Sequence, residues 1–352
     1  MPDSHHNRYA RQIQYAPIGT EGQSRIEQSA VTILGCGALG SVAAEILARA
    51  GVGRLRLIDR DLVEWTNLQR QALFDEDDAA KGRAKVQAAR ERIAQINRTI
   101  QVEPLVIDVT ASNICDVLDG SDLVIDAADN FAIRFLLNDW SLKHKTAWVH
   151  GGCIGASGQV RLFDGLGSPC FRCLVPEPPP AASVPTCDTA GVLGAATHMI
   201  ASLQCLEAIK WLSGNQDAVH DEVWSFDLWR NRFRALQLDS GLCQSCRACA
   251  QQKYDFLDAD HDRSGAAMEI CGRDAVQITP AATTTIALKQ IAQRWQGQGE
   301  VQANPFFVRL TIPAQANEAE LRLTLFADGR AVVDGTEDPS RARTLYDRFV
   351  GG

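Results

Sequence analysis

Two cysteine pairs with the same internal spacing stand far apart in the chain, Cys170-x-x-Cys173 and Cys243-x-x-Cys246. Four thiolates so spaced can close a tetrahedral zinc site that clips distant loops together. Such a site leaves no coordination position open, so the metal's role is structural. Cys249 continues the second spacing and is a less favoured substitute ligand. Cys187 differs: it lies in "VPTCDTAGVLG", between a proline-rich run and an apolar helical stretch. The N-terminus of the following helix would lower a thiol's pKa. The residues alone leave both a reactive and an idle thiol open. Cys36, Cys115, Cys153, Cys205 and Cys271 read as core or incidental thiols.

A second constellation is "GCGALG", in which Gly35, Gly37 and Gly40 fall between a predicted strand and a predicted helix. Such a loop brings backbone N–H groups and a helix N-terminus up to phosphate. Asp59 follows at the distance expected of a ribose-binding acid. The motif does not separate a dinucleotide from ATP, so a dinucleotide-dependent oxidoreductase stays open on it alone. The next segments discriminate: "DRDLVEWTNLQRQALF" and "KGRAKV" supply Asn67, Arg70 and Lys85. That many phosphate-directed groups suit a reaction at a triphosphate, where negative charge builds as a phosphorus–oxygen bond breaks. In "DAADNFAIR", Asp126 and Asp129 end a predicted strand, and Asp129 suits Mg²⁺, which favours carboxylate and phosphate oxygens. The plainer alternatives are surface salt bridges for Arg70, Lys85 and Arg134, and a helix cap for Asp126.

These residues need a scaffold, and the hydrophobic pattern predicts one. Residues 31–34, 54–59, 100–109, 122–127 and 146–150 read as strands, and 41–51 and 83–97 as helices with one apolar face. Strands alternating with helices predict a Rossmann-like, doubly wound α/β fold with a mostly parallel sheet covered on both faces. "GASGQVRLF" reads as a turn into a strand, and the prolines of "VPEPPPAASVP" exclude helix and central strand. A helix over about 193–213 and strands at 222–227 and 232–238 follow, ending in the zinc-clipped part. Beyond Cys249 the chain turns polar and acidic. The expected domains are 1–254, carrying the nucleotide site, and 255–352, a small accessory α+β unit reading β-α-β-β-α.

The net charge of −8 over 352 residues argues against general nucleic-acid or anionic-membrane binding, which need a basic surface. "SAVTILGCGALGSVAA" is the best imitation of a membrane span, but its glycines and the adjacent Glu45 argue against one. Residues 1–30 hold charged residues and no apolar stretch, so no signal peptide is expected there and the expected compartment is the cytoplasm. There, thiols serve as core residues, ligands or catalytic groups rather than disulfides.

In order along the chain, "RYARQI", "GCGALG", "LIDRDLVEWTNLQRQ", the lysine of "GRAKV", "DAADN" with Arg134, "CFRC", "TCDTAGV" and "CQSC" resemble the ThiF/MoeB family. This family comprises bacterial relatives of ubiquitin-activating enzymes, and the likeness covers residues 8 to about 249. It implies an adenylyltransferase that uses ATP and Mg²⁺ to activate the C-terminal glycine carboxylate of a small ubiquitin-like sulfur carrier ending in Gly-Gly. It further implies Asp59 at the ribose, Asn67, Arg70 and Lys85 at the phosphates, and Asp129 at magnesium with Asn130 beside it. Arg11 would reach the ATP of a neighbouring subunit in a homodimer. Cys187 would act after adenylation, in sulfur transfer from a donor such as a cysteine desulfurase; in some relatives this cysteine is dispensable. A carboxylate nucleophile is ionised at neutral pH, so this chemistry needs no general base and no catalytic histidine. The C-terminal extension tilts the expectation towards the carrier of thiamine biosynthesis over that of molybdenum cofactor biosynthesis. A peptide C-terminus as substrate and a non-catalytic scaffold are the further alternatives.

The C-terminal region holds two imitations. "DADHDRSGAAME" places Asp258, Asp260, Asp262 and Glu269 at EF-hand ligand positions, but Arg263 stands where the turn wants glycine and a strand follows where a helix should. It reads as a solvated acidic linker. The terminal Gly351-Gly352 matches the tail such carriers present, yet "SRARTLYDRFV" before it has helical spacing and the glycines read as ordinary capping.

Overall fold

The computed structural model describes residues 8–167, 169–179, 190–238, 240–258, 267–269, 275–280, 286–314 and 320–351. They form two compact units, residues 1–259 and 260–352.

The first unit is built on an eight-stranded sheet in the order β3-β2-β1-β4-β5-β6-β7-β8. β1 (Ala30–Leu34), β2 (Arg54–Ile58), β3 (Gln101–Leu105), β4 (Leu123–Asp126) and β5 (Ala147–Ile154) run parallel. β6 (Ser157–Phe163), β7 (Val223–Asp227) and β8 (Arg232–Leu236) continue the sheet antiparallel. The strands are apolar on both faces because both faces are covered. Val31, Ile33, Leu55, Leu57, Ile125 and Val149 join one core, whereas their neighbours Leu34, Ile58, Val124 and Trp148 join the other. The first core is closed by helices α1 (Gly19–Gln28), α2 (Gly40–Ala50), α3 (Lys85–Ile96) and, further along, Gly194–Leu212. The second is closed chiefly by α4 (Phe131–His144), through Phe135, Leu136 and Trp140. The expected doubly wound α/β fold is therefore present.

β3 ends at Leu105, short of the predicted 109, because the Leu105 carbonyl accepts from Asp59 N–H and the chain then leaves the sheet. Beyond β6 come α5 (Phe171–Leu174), α6 (Gly194–Leu212) and α7 (Ser240–Gln244). The glycine loop follows β1 and the "DAADN" turn follows β4; these adjacent parallel strands have connections leading to opposite sides. That switch point is where open α/β sheets bind ligands.

The second unit is a six-stranded antiparallel sheet in the order β11-β12-β13-β14-β10-β9. Its elements are β9 (Ala267–Glu269), β10 (Ala275–Ile278), α8 (Leu288–Trp295), β11 (Glu300–Ala303), β12 (Phe307–Ile312), β13 (Leu321–Phe326), β14 (Ala331–Asp334) and α9 (Pro339–Phe349). Both helices share one core with the sheet, where Trp295, Tyr346 and Phe349 meet Val276, Val308, Leu310 and Leu323. The unit has more strands than the β-α-β-β-α pattern predicted. The reason is that alternation in "FFVRLTI" and "LRLTLF" belongs to two hairpin-paired strands flanked by others as short as three and four residues. The acidic run resembling an EF-hand falls largely on residues outside those described, as does Gly352; α9 is capped by Val350, and Gly351 comes next.

Candidate active site and metal centre

Two of the three glycines are required by the fold, for different reasons, and the third is not. Gly35 has φ +90°, a backbone region costly for other residues, and a Cβ there would stand 2.6 Å from the Ala127 carbonyl oxygen. At Gly40 a Cβ would stand 1.8 Å from the Gly35 carbonyl oxygen, so the first turn of α2 packs on the loop without room for a methyl. Gly37 answers to no such constraint: a Cβ there would meet nothing nearer than Gln71 Nε2, at 3.9 Å. Among the described residues no protein group accepts from the N–H groups of Gly37, Ala38 or Leu39. Free donors at a helix N-terminus, beside a position the protein itself leaves open, fit a phosphate.

Asp59 follows β2 and holds the loop from the other side. Its Oδ2 accepts from Cys36 N–H at 2.7 Å and its Oδ1 from Asp61 N–H at 2.8 Å. Burial pushes its carboxyl above the ordinary range, while Lys85 and these two N–H groups pull it back down. Lys85, the first residue of α3, is 4% exposed and its Nζ lies 2.9 Å from Asp61 Oδ2. It is thus a buried cation paired with an acid that is itself half-exposed, and not a surface salt bridge. Asn67 is buried and its Oδ1 accepts from Glu64 N–H at 3.1 Å, closing a short 3₁₀ turn. Arg70, one turn on, is half-buried and donates through Nη1 to the Thr66 carbonyl at 2.7 Å. Gln71, which the motif reading passes over, is buried beside Gly37 and its Oε1 has no partner among the described residues. In sequence it is one glutamine among several.

At the end of β4 the two aspartates separate in role. Asp129 is exposed at the carboxyl end of the sheet, as a cation ligand would have to be. Asn130, expected at the cofactor, caps α4: its Oδ1 accepts from Ile133 N–H at 3.1 Å, and its Nδ2 donates to Asp129 Oδ1 at 3.3 Å. Asp126 is fully buried and does not cap α4. Its Oδ2 accepts from Arg134 Nε at 3.0 Å and from His150 Nδ1 at 2.8 Å, and its Oδ1 from Ala128 N–H at 3.0 Å. Burial opposes its charge, but Arg134, His150 and the Ala128 N–H together hold its pKa below the ordinary carboxylate value. Burial holds His150 below its ordinary value. With Asp126 ionised, His150 is neutral and carries its proton on Nδ1. Nothing in "AWVHGG" marks that histidine; only the pairing of β4 with β5, which sets Asp126 opposite His150, does.

Arg11 is exposed and pairs locally, Nη1 to Gln14 Oε1 at 2.9 Å. Cys187 lies outside the described residues.

Five cysteines gather in one cluster, joined by Ala248. Four thiols, those of Cys170, Cys173, Cys246 and Cys249, lie within 4.8 Å of one another. The sulfur–sulfur distances are 3.9 Å for Cys170–Cys173, 3.7 Å for Cys170–Cys246 and 3.5 Å for Cys173–Cys249. Thiolates around a tetrahedral zinc with bonds near 2.3 Å stand about 3.8 Å apart, so the quartet fits that ion. The structure places Cys249 in this quartet where the spacing in the sequence favours Cys243. The cause is a tight turn after Cys246, whose carbonyl accepts from Ala250 and Gln251 N–H at 3.1 Å each and folds Cys249 back on Cys173. Cys243, in α7, is buried in the same cluster.

Fold and site together define an α/β enzyme with a nucleotide loop at the switch point of its sheet. The chain belongs to the ThiF family, whose model matches residues 9–248. It is similar to the sulfur carrier protein ThiS adenylyltransferase of Bacillus subtilis (strain 168), 37% identical over 345 residues, covering 98% of this chain and 99% of that protein. It is also similar to the adenylyltransferase and sulfurtransferase MOCS3 of Aedes aegypti, 40% identical over 231 residues, covering 66% of this chain. The chain spans about half the length of that relative, 52%. Among solved structures, Escherichia coli MccB superposes with a TM-score of 0.61 at 22% identity, over 70% of this chain and 73% of that one, a likeness of fold. The kinship places the chain among nucleotidyltransferases. No helix among the described residues is long and apolar enough to cross a membrane.

Proposed function

We propose that the protein adenylates the C-terminal glycine carboxylate of a small ubiquitin-like sulfur carrier, of the ThiS type before the MoaD type, with ATP and Mg²⁺, releasing pyrophosphate. The observation that carries this reading is the 37% identity to a ThiS adenylyltransferase across nearly the whole of both chains. The free N–H groups beside Gly37 would take phosphate oxygens, Asp59 the ribose, and Asn67, Arg70 and Lys85 the charge that develops as the bond to pyrophosphate breaks. Asp129 would hold Mg²⁺, which when bound neutralises phosphate charge. The carrier carboxylate attacks the α-phosphorus, the new oxygen–phosphorus bond forms as the bond to the pyrophosphate oxygen breaks, and no proton has to move. Orientation and cations suffice.

Cys170, Cys173, Cys246 and Cys249 would hold a structural zinc, supported by their mutual distances. Arg11 serves a neighbouring subunit's ATP in a homodimer, and Cys187 receives the activated carrier during sulfur transfer from a donor such as a cysteine desulfurase. The nine described cysteines are all free thiols, which supports action in a reducing cytoplasm.

The test is an intact-mass measurement, without reductant, after mixing the protein with Mg²⁺, ATP and a ThiS-type carrier ending in Gly-Gly. An adenylate mass on the carrier is expected, and a reductant-sensitive joint mass that disappears in Cys187→Ala would assign that thiol. No adenylate on either a ThiS-type or a MoaD-type carrier overturns the proposal.

A further inference from the structure

One network in the first unit has more bonds than its position in the sheet requires, and they converge on a single turn. Asp126, the last residue of β4, is fully buried, and its carboxylate accepts from three donors: Arg134 Nε, His150 Nδ1 and Ala128 N–H. Arg134 then donates through Nη2 to the Ala128 carbonyl at 2.7 Å and to the Gly151 carbonyl at 3.2 Å. Ala128 is therefore held at both ends, its N–H by the acid and its C=O by the base of the same ion pair. The next residue is Asp129, and the one after it, Asn130, is fixed as the cap of α4. The turn also touches the glycine loop: a Cβ on Gly35 would stand 2.6 Å from the Ala127 carbonyl oxygen. This short segment thus abuts the loop facing the phosphates and carries the carboxylate facing the cation, while the loop itself is held from β2, by the Ile58 carbonyl and the Asp59 carboxylate.

A buried ion pair is a costly way merely to join two strands, since apolar side chains do so without removing charge from water. The bonds that converge on Asp126 and on Ala128 do specify a single local geometry, although His150 Nε2 is buried with no partner among the described residues. His150 completes it: its ring lies 5.2 Å from that of Phe171 and 6.0 Å from that of Trp148, so its orientation is set by packing and its Nδ1–H by Asp126.

We infer that Arg134 and His150 are positioning residues for the adenylation step, which act through Asp126 to lock the Ala127–Asp129 turn and so hold the Asp129 carboxylate at a fixed place beside the glycine loop. This rests on the proposed role of Asp129 as a cation ligand. A loosened turn leaves Asp129 present but misplaced, so it needs more cation to do the same work, whereas the backbone donors that bind ATP stay in place.

The experiment is a Mg²⁺ titration of carrier-dependent pyrophosphate release at saturating ATP. It compares the whole protein with Arg134→Lys, which keeps the charge but loses the forked geometry, and with His150→Phe, which fills the same aromatic pocket but removes the donor. Asp129→Asn is the control, and each variant is also melted and titrated with ATP. The Mg²⁺ concentration for half-maximal rate is expected to rise about tenfold in both positioning variants, with KM for ATP changed less than about threefold. Excess Mg²⁺ is expected to recover their rate in part, but not that of Asp129→Asn. Wild-type Mg²⁺ dependence in a variant that still melts cooperatively, with Asp129→Asn inactive, overturns the positioning role. Should Arg134→Lys not fold, His150→Phe decides the matter alone. A fully active Asp129→Asn instead overturns the cation assignment, and the positioning role with it.

Discussion

The same substitution three residues apart in the glycine loop is expected to damage two different properties. Gly40→Ala puts a methyl 1.8 Å from the Gly35 carbonyl oxygen, about 1.2 Å short of the 3.0 Å below which real Cβ contacts essentially do not occur. The oxygen has no easy retreat, because Gly35 donates to the Ile58 carbonyl at 2.8 Å and itself abuts Ala127. Overpacking usually costs about 1–3 kcal/mol, and a neighbour pinned on two sides places this case near 3 kcal/mol. For a unit of this size that lowers the melting temperature by about 6–12 °C. Gly37→Ala meets nothing within 3.9 Å and its φ is not in the left-handed region, so stability should change by less than about 0.5 kcal/mol. The methyl does, however, occupy the approach of a phosphate to the free N–H groups. Losing one charge-assisted hydrogen bond, about 1.5–3 kcal/mol, weakens ATP at least tenfold. Differential scanning calorimetry of both variants, with ATP titration calorimetry of Gly37→Ala, separates the two effects. ATP affinity unchanged in Gly37→Ala would refute the phosphate-cradle reasoning, and an unshifted melt for Gly40→Ala would refute the packing argument.

Three more outcomes follow from individual contacts. Lys85→Met removes a buried cation that also offsets the buried charge of Asp59, so the melt should fall while carrier adenylation drops at least a hundredfold, read as pyrophosphate release from protein that still melts cooperatively. Cys249→Ser should lower bound zinc, measured by elemental analysis against protein, whereas Cys243→Ser should retain it; the reverse result would return Cys243 to the ligand set. Burial pushes the Asp139 carboxyl up to about 6, although Phe256 N–H, at 2.9 Å, opposes the shift. Because this lies above the unfolded value near 3.9, its stabilising contribution is complete below about pH 4 and is lost as pH rises through 6, by about 3 kcal/mol. Asp139→Asn should therefore gain on the wild type by about that amount between pH 4 and 8 in parallel chemical unfolding, and a pH-independent difference would contradict it.

Much of this molecule is decided locally and so could be read along the chain. Apolar runs of four to six residues bounded by glycine, alternating with helices of one apolar face, determine the doubly wound sheet. A glycine loop between strand and helix determines where phosphate would sit, since both follow from backbone sterics over a few residues. Gly35 and Gly40 were visible as glycines for that reason, but that Gly37 alone is left free by the protein depends on what packs near it. The tertiary structure decided what distant segments do to one another. Asp126, read as a possible cap, is an interior charge because β4 and β5 pair in the register that brings His150 to it, while Arg134 reaches it from α4. The five cysteines carry two candidate ligand sets with equal spacing, and it is the turn after Cys246 that brings Cys249 within 3.5 Å of Cys173, a contact the spacing alone does not show. Spacing limits which residues can meet; which of them do is settled by the path of the chain between them.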